Sequence, residues 1–170
     1  VLGLKNKPHV QLSGLEKRLN RPETKELILR LQKAAITVPA NAGGILPLDS
    51  KLKGTVVLNI GKTSGAGLAF YNRLQKTLPL TRVVARPDSM EAVRRQLSGS
   101  QRVIVVITSD DYKKYRTMLD SLPDDLPVVY VYLMPLKSMS DLKGYWKKAA
   151  AVVLGHTDES VIQEYVADVL

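Results

Sequence analysis

The chain has 170 residues, 45% hydrophobic, 24% charged and 5% aromatic, a balance that excludes disordered and fibrous classes and suits one ordinary core. With no cysteine and two histidines, a disulfide framework, a thiolate nucleophile and a Cys- or His-rich metal site drop out. The net charge of +9 invites a nucleic-acid partner, but residues 1–54 hold ten Lys/Arg against four Asp/Glu and residues 55–170 fifteen against twelve, with no basic stripe interleaved with aromatic residues, so neither nucleic acid nor a cofactor is expected.

No apolar run reaches the ~20 residues that cross a bilayer, and Val1–Lys5 lack a signal-peptide core. In chain order, Arg21–Ala35 reads as a helix with Pro22 in its first turn, where the missing N–H costs nothing. Val38-Pro-Ala-Asn-Ala-Gly-Gly44 reads as the loop that ends it. Five short, β-branched, nearly continuous apolar runs follow, at 55–60, 81–85, 102–108, 128–134 and 149–154, the pattern of strands buried on both faces. Tyr130 and Tyr132 alternate on one face of the fourth and are expected in the core.

Between the strands, apolar residues recur at helical spacing: Leu68, Tyr71, Leu74 and Leu78, then Met90, Val93 and Leu97, then Tyr115, Met118, Leu119 and Leu122. Asp88-Ser89, Ser109-Asp110 and Thr157-Asp158 supply short polar side chains where N-caps are wanted. After Met134, Pro135 and a polar stretch predict a loop, then a short helix over Leu142–Trp146. The alternation predicts an α/β, three-layer, flavodoxin-like sandwich of five mostly parallel strands in the order 2-1-3-4-5. Residues 55–170 form that domain and residues 1–54 a linker with its helix. A start without Met and a stop inside a helical pattern suggest a piece of something longer.

Three loops could carry chemistry. Gly61-Lys-Thr63 touches on the phosphate-cradling Gly-Lys-Thr sequence, but a Walker loop needs an early Gly five residues before its last one, and Val56 stands there, inside the strand. The dinucleotide fingerprint also fails, with Phe70 where its third small residue belongs. Thr63, Ser64 and Gly65 remain candidates for holding an anion at a helix start, against the simpler reading of a structural turn. Asp110 and Asp111 follow the third strand at the edge where such sheets hold ligands. They are candidate acid–base residues, or else a helix cap with a dipole-complementing neighbour. His156, with Asp158, lies on the same edge, and no third catalytic member accompanies them. Trp146 is a sugar-stacking candidate or a core-edge cap. Ser64 lacks a nucleophile elbow.

Several stretches resemble the C-terminal α/β sandwich domain of family 3 glycoside hydrolases, in particular β-N-acetylhexosaminidase-like members of the Bacteroidetes type. Ala35-Ile-Thr-Val38 with Gly43-Gly-Ile-Leu-Pro-Leu48 is similar to the family's "ITLLKN…LLPL" connector, Val128–Val131 after Pro127 to its "KPVVVV" strand, and Ala149–Ala167 to its last strand and helix. Leu19–Glu26 fits the linker-helix region. Pro39-Ala-Asn41 replaces the usual "KN", and Ser109-Asp-Asp-Tyr-Lys-Lys-Tyr115 lacks the acid/base Glu that glucosidase members carry after the third strand. The resemblance implies a catalytic (β/α)8 barrel as partner in the same polypeptide, supplying the nucleophile, with carbohydrate as its substrate and a periplasmic or secreted setting. This segment would then be non-catalytic. The competing readings are a stand-alone small-ligand or nucleotide module using Gly61–Gly67, and an independent hydrolase using Asp110 and His156.

Overall fold

The computed structural model describes residues 13–19, 21–86, 90–135 and 143–170. The elements run α1 (Leu15–Leu19), α2 (Pro22–Ala35), β1 (Thr37–Asn41), β2 (Thr55–Ile60), α3 (Leu68–Leu74), β3 (Leu80–Val84), α4 (Met90–Leu97) and β4 (Arg102–Ile107). A 3-10 turn (Asp110–Tyr115) then leads into α5 (Arg116–Asp120), β5 (Val128–Tyr132), α6 (Lys143–Trp146), β6 (Ala151–Leu154) and α7 (Ser160–Val169).

The sheet order is β1-β6-β5-β4-β2-β3. β2 to β6 are parallel, in register pairs such as Leu58↔Val105 and Val105↔Tyr130, and their order is the 2-1-3-4-5 expected from the alternation. The sixth strand corrects the loop expected at Val38–Gly44: Thr37–Asn41 pairs antiparallel with β6, and only Ala42–Gly44 turns away as a 3-10 helix. Pro39 hid this strand. It sits on a sheet edge, in the stretch between Thr37 and Ala40 where the register shifts, and edges and bulges are where a sheet tolerates a residue without an N–H.

Both faces of the sheet are covered, which is why its strands read as continuous apolar runs. Val56, Leu58, Val103, Val105, Tyr130 and Val152 pack under α4, the 3-10 turn, α5 and α6. On the opposite face Val57, Ile104, Val106, Val131 and Val153 pack under Phe70 and Leu74 of α3 and Ile162 and Val166 of α7. Each such side chain removed from water is worth about 1.5–3 kcal/mol. α3 and α7 are tied further by Arg73, whose Nε donates to Asp168 Oδ1 at 2.7 Å.

Tyr130 and Tyr132 are buried and stacked with centroids 6.1 Å apart, as expected. Burial pushes both phenols above their ordinary range and keeps them neutral. Trp146 is half-buried, its ring 6.3 Å from that of Tyr132, at the core edge rather than in an open position for stacking. At the amino edge the buried Arg102 donates from Nη2 to Thr55 Oγ1 at 2.9 Å, and burial lowers its affinity for the proton.

The third crossover begins as the 3-10 turn and becomes α-helical only at Arg116, where the spacing had predicted one helix. Ser109 caps it as expected, its Oγ accepting from the Asp111 N–H. At α7 the cap position is Glu159, with Thr157 Oγ1 accepting from the Glu159 N–H at 3.4 Å. The cap expected at Asp88-Ser89 and the loop expected over 136–142 lie outside the described residues.

Candidate functional site at the carboxyl edge of the sheet

The parallel strands end in three loops on one edge: 61–67 after β2, 108–111 after β4 and 155–158 after β6. They enclose a cleft of about 440 Å³ bounded by Lys62, Thr63, Gly65, Ser109, Asp158 and Gln163. A second hollow of about 320 Å³ lies on the other side of the first loop, against Ser64, Arg86, Asp111 and Lys114. The expected anion-holding residues are thus divided, Gly65 facing one hollow, Ser64 the other, and Thr63 bordering both.

Two amides at the end of the first loop turn inward. The Ala66 N–H donates to Thr63 O and the Leu68 N–H to Gly65 O, each at 3.1 Å, so these donors are spent inside the loop. Two of its three glycines answer to packing. A Cβ on Gly61 would come 2.2 Å from Thr108 Oγ1 and 2.4 Å from Ala66 Cβ. Gly67, at φ +67°, has the left-handed conformation that favours glycine and lies over Asn59 and Val106. Close approach of protein to protein accounts for Gly61 and Gly67, whereas a Cβ on Gly65 would meet only Thr63 Oγ1 at 3.9 Å.

Asp110 and Asp111 are consecutive and differently placed. Asp110 is exposed, while Asp111 accepts from Lys114 Nζ at 2.8 Å and from Ser109 Oγ at 3.3 Å. The ammonium of Lys114 holds the Asp111 carboxyl below its ordinary range, and the carboxylate in turn raises Lys114. A carboxyl so held remains ionised at neutral pH, unlike the raised acid that protonates a leaving group. His156 is half-buried at φ +64°, and among the described residues no hydrogen bond or ion pair joins it to Asp158 or to either aspartate. The described residues also contain no cluster of His, Cys, Asp and Glu able to hold a metal ion.

Three residues that shape this edge escaped sequence reasoning. Arg82 of β3 clamps the first loop, its Nη2 donating to Ser64 O at 2.6 Å and Ala66 O at 3.2 Å. Gln163 of α7 reaches across to α3, Oε1 accepting from the Phe70 N–H at 3.2 Å while Nε2 donates to Asp158 O at 2.6 Å. Asn59 is 1% exposed beneath Gly67, and neither side-chain atom has a partner. Their common signal is a polar residue interrupting an apolar strand or helix stripe, which alternation arguments treat as noise.

A doubly wound sandwich with one antiparallel edge strand is the class of structure defined here. No family model matches the sequence, and no curated protein matches it. Solved structures share its fold: β-glucosidase from Listeria innocua in complex with isofagomine (TM-score 0.61, 14% identity, covering 98% of this chain and 27% of that one), and a glycoside hydrolase family 3 β-N-acetylglucosaminidase from a Paenibacillus species (TM-score 0.58, 13% identity, 88% and 30%). A fungal multi-domain family 3 β-N-acetylglucosaminidase is similar as well (TM-score 0.60, 15% identity, 95% and 19%). The chain spans about a third or less of the length of each of these enzymes. The fold is therefore that of one portion of family 3 glycoside hydrolases, as the sequence motifs implied.

Proposed function

We propose that this chain is the non-catalytic α/β sandwich of a glycoside hydrolase of the family 3 type, most similar in role to the portion found in β-glucosidases and β-N-acetylglucosaminidases. Its partner is a catalytic (β/α)8 barrel, joined through the amino-terminal segment ahead of β1, and its carboxyl edge lines one wall of the carbohydrate cleft. The observation that carries the reading is a fold likeness over nearly the whole chain to a minor part of much longer enzymes.

The chemistry of the edge is consistent with this division of labour. Glycoside hydrolysis uses two carboxyl groups about 5–9.5 Å apart flanking the bond, whereas at this edge Asp111 is already bound to a lysine and Asp110 and Asp158 stand exposed on separate loops. A domain of this kind contributes shape and polar contacts while the proton donor and nucleophile come from elsewhere. Purified chain incubated with p-nitrophenyl β-glucoside and p-nitrophenyl N-acetyl-β-glucosaminide is expected to release no nitrophenol above the buffer rate. Release that tracks the pure protein and falls with Asp110→Ala would overturn the reading in favour of an independent hydrolase.

A further inference from the structure

The two faces of the sheet are covered unequally. α3 and α7, of 7 and 10 residues, roof one face, whereas over β5 the other face has α5, of 5, and α6, of 4. The third crossover starts as a 3-10 turn, and Pro123 follows close on α5. This short roof leaves a hollow of about 440 Å³ between α5 and α6, at the amino half of β5, within the ~300–1,000 Å³ range of small-molecule sites. It shares no lining residue with either hollow at the carboxyl edge. Leu119, Leu122 and Val128 give it an apolar wall. Tyr130 is 4% exposed and lines the hollow, yet among the described residues nothing hydrogen-bonds to its hydroxyl, although a buried hydroxyl ordinarily finds a partner. Asp120 stands beside the Tyr145 hydroxyl, and on the exposed rim Lys148 Nζ meets Asp124 Oδ1 at 2.6 Å. Gly144 of α6 also borders the hollow, and a Cβ there would meet nothing within 4 Å. Neither packing nor a positive φ asks for glycine at this position, where it weakens a helix.

We infer that this hollow is a binding site for a single neutral sugar ring. A pyranose carries C–H groups on its faces and hydroxyls around its rim. The hollow answers both, with an apolar wall on one side and the polar groups of Tyr130, Tyr145, Asp120 and Arg116 around it. A sugar hydroxyl supplies the partner that the Tyr130 hydroxyl lacks. Charge selects against ionic ligands: the charged residues lining the hollow are Arg116, Lys148, Asp120 and Asp124, two of each sign, so neither an anion nor a cation gains from entering. Gly144 keeps the lip open where a side chain would occupy the space. The site is built by this chain's own α5, β5 and α6 and does not depend on which domain accompanies them.

Two-dimensional amide NMR of the protein, titrated with methyl β-glucoside, N-acetylglucosamine, glucuronate, protonated glucosamine and cyclohexanol, tests the site. At least one of the two neutral sugars is expected to shift the amides of Asp120, Tyr130 and Tyr145 saturably, with a dissociation constant on the order of 1 mM. The charged sugars and cyclohexanol are expected to bind at least ~10-fold more weakly. Tyr130→Phe removes only an unpartnered hydroxyl, so it leaves the melting temperature unchanged or higher while weakening the sugar about 5-fold. Gly144→Leu fills the mouth and is expected to abolish the shifts in folded protein. No saturable shift at these amides with either neutral sugar would overturn the site. So would a charged sugar or cyclohexanol binding as tightly as the neutral sugar, or sugar binding untouched by Tyr130→Phe. Each of these outcomes leaves the proposed function standing, since the nitrophenyl glycoside assays read that separately.

Discussion

β4 and α2 are both rich in aliphatic residues, and the fold treats them oppositely. Every residue of β4 is buried, with Val103 through Ile107 at 0% exposure, whereas α2 buries none. An apolar strand in the middle of this sheet is satisfied by its own chain, from two neighbours and two helical layers. The apolar stripe of α2 at the periphery stays exposed. The difference separates what holds the sandwich together from what lies on its surface.

The same truncation on the two elements breaks that comparison most sharply. Ile104→Ala removes a fully buried side chain between α3 and α7 and is expected to cost about 2–5 kcal/mol of unfolding free energy in urea titration. Leu27→Ala is expected to stay within about 0.5 kcal/mol. Comparable losses at both positions would show that α2 contributes to the core after all.

A smaller effect sharpens the description of the carboxyl edge. The Asp111–Lys114 pair lowers one proton affinity and raises the other, so its contribution is present above the unfolded aspartate value near 3.9 and below the unfolded lysine value near 10.4, and fades outside that window as Asp111 gains or Lys114 loses a proton. Asp111→Asn should therefore lower the melting temperature slightly at pH 7 and progressively less as the pH falls through the lowered Asp111 value, measured by thermal melts across pH. A deficit that does not shrink as the pH falls would assign Asp111 a role other than its charge.

Much of this was legible before any coordinates, for reasons the structure makes plain. Four of the five parallel strands are buried throughout, so Val56–Leu58 and Val103–Ile107 show as unbroken apolar stretches, and the intervening helices show at 3.6-residue spacing. β1 did not show, because an edge strand of five residues with Pro39 at an irregularity has neither alternation nor length to mark it. At the candidate site the glycines were visible and their cause was not. Only the placement of Thr108 and Ala66 against Gly61 reveals that a side chain is excluded there by packing. Arg82 and Gln163 were hidden for a related reason: each hydrogen-bonds to residues distant in sequence, and no local pattern announces such a reach.

Native-state hydrogen exchange on the isolated 170-residue chain, read amide by amide, tests the division between scaffold and presented surface most directly. The account predicts that β4 amides exchange only with global unfolding while α2 amides exchange through a local opening at least about 2 kcal/mol easier, since sub-global openings draw on elements with few buried contacts. Protection of α2 equal to that of β4 would contradict it.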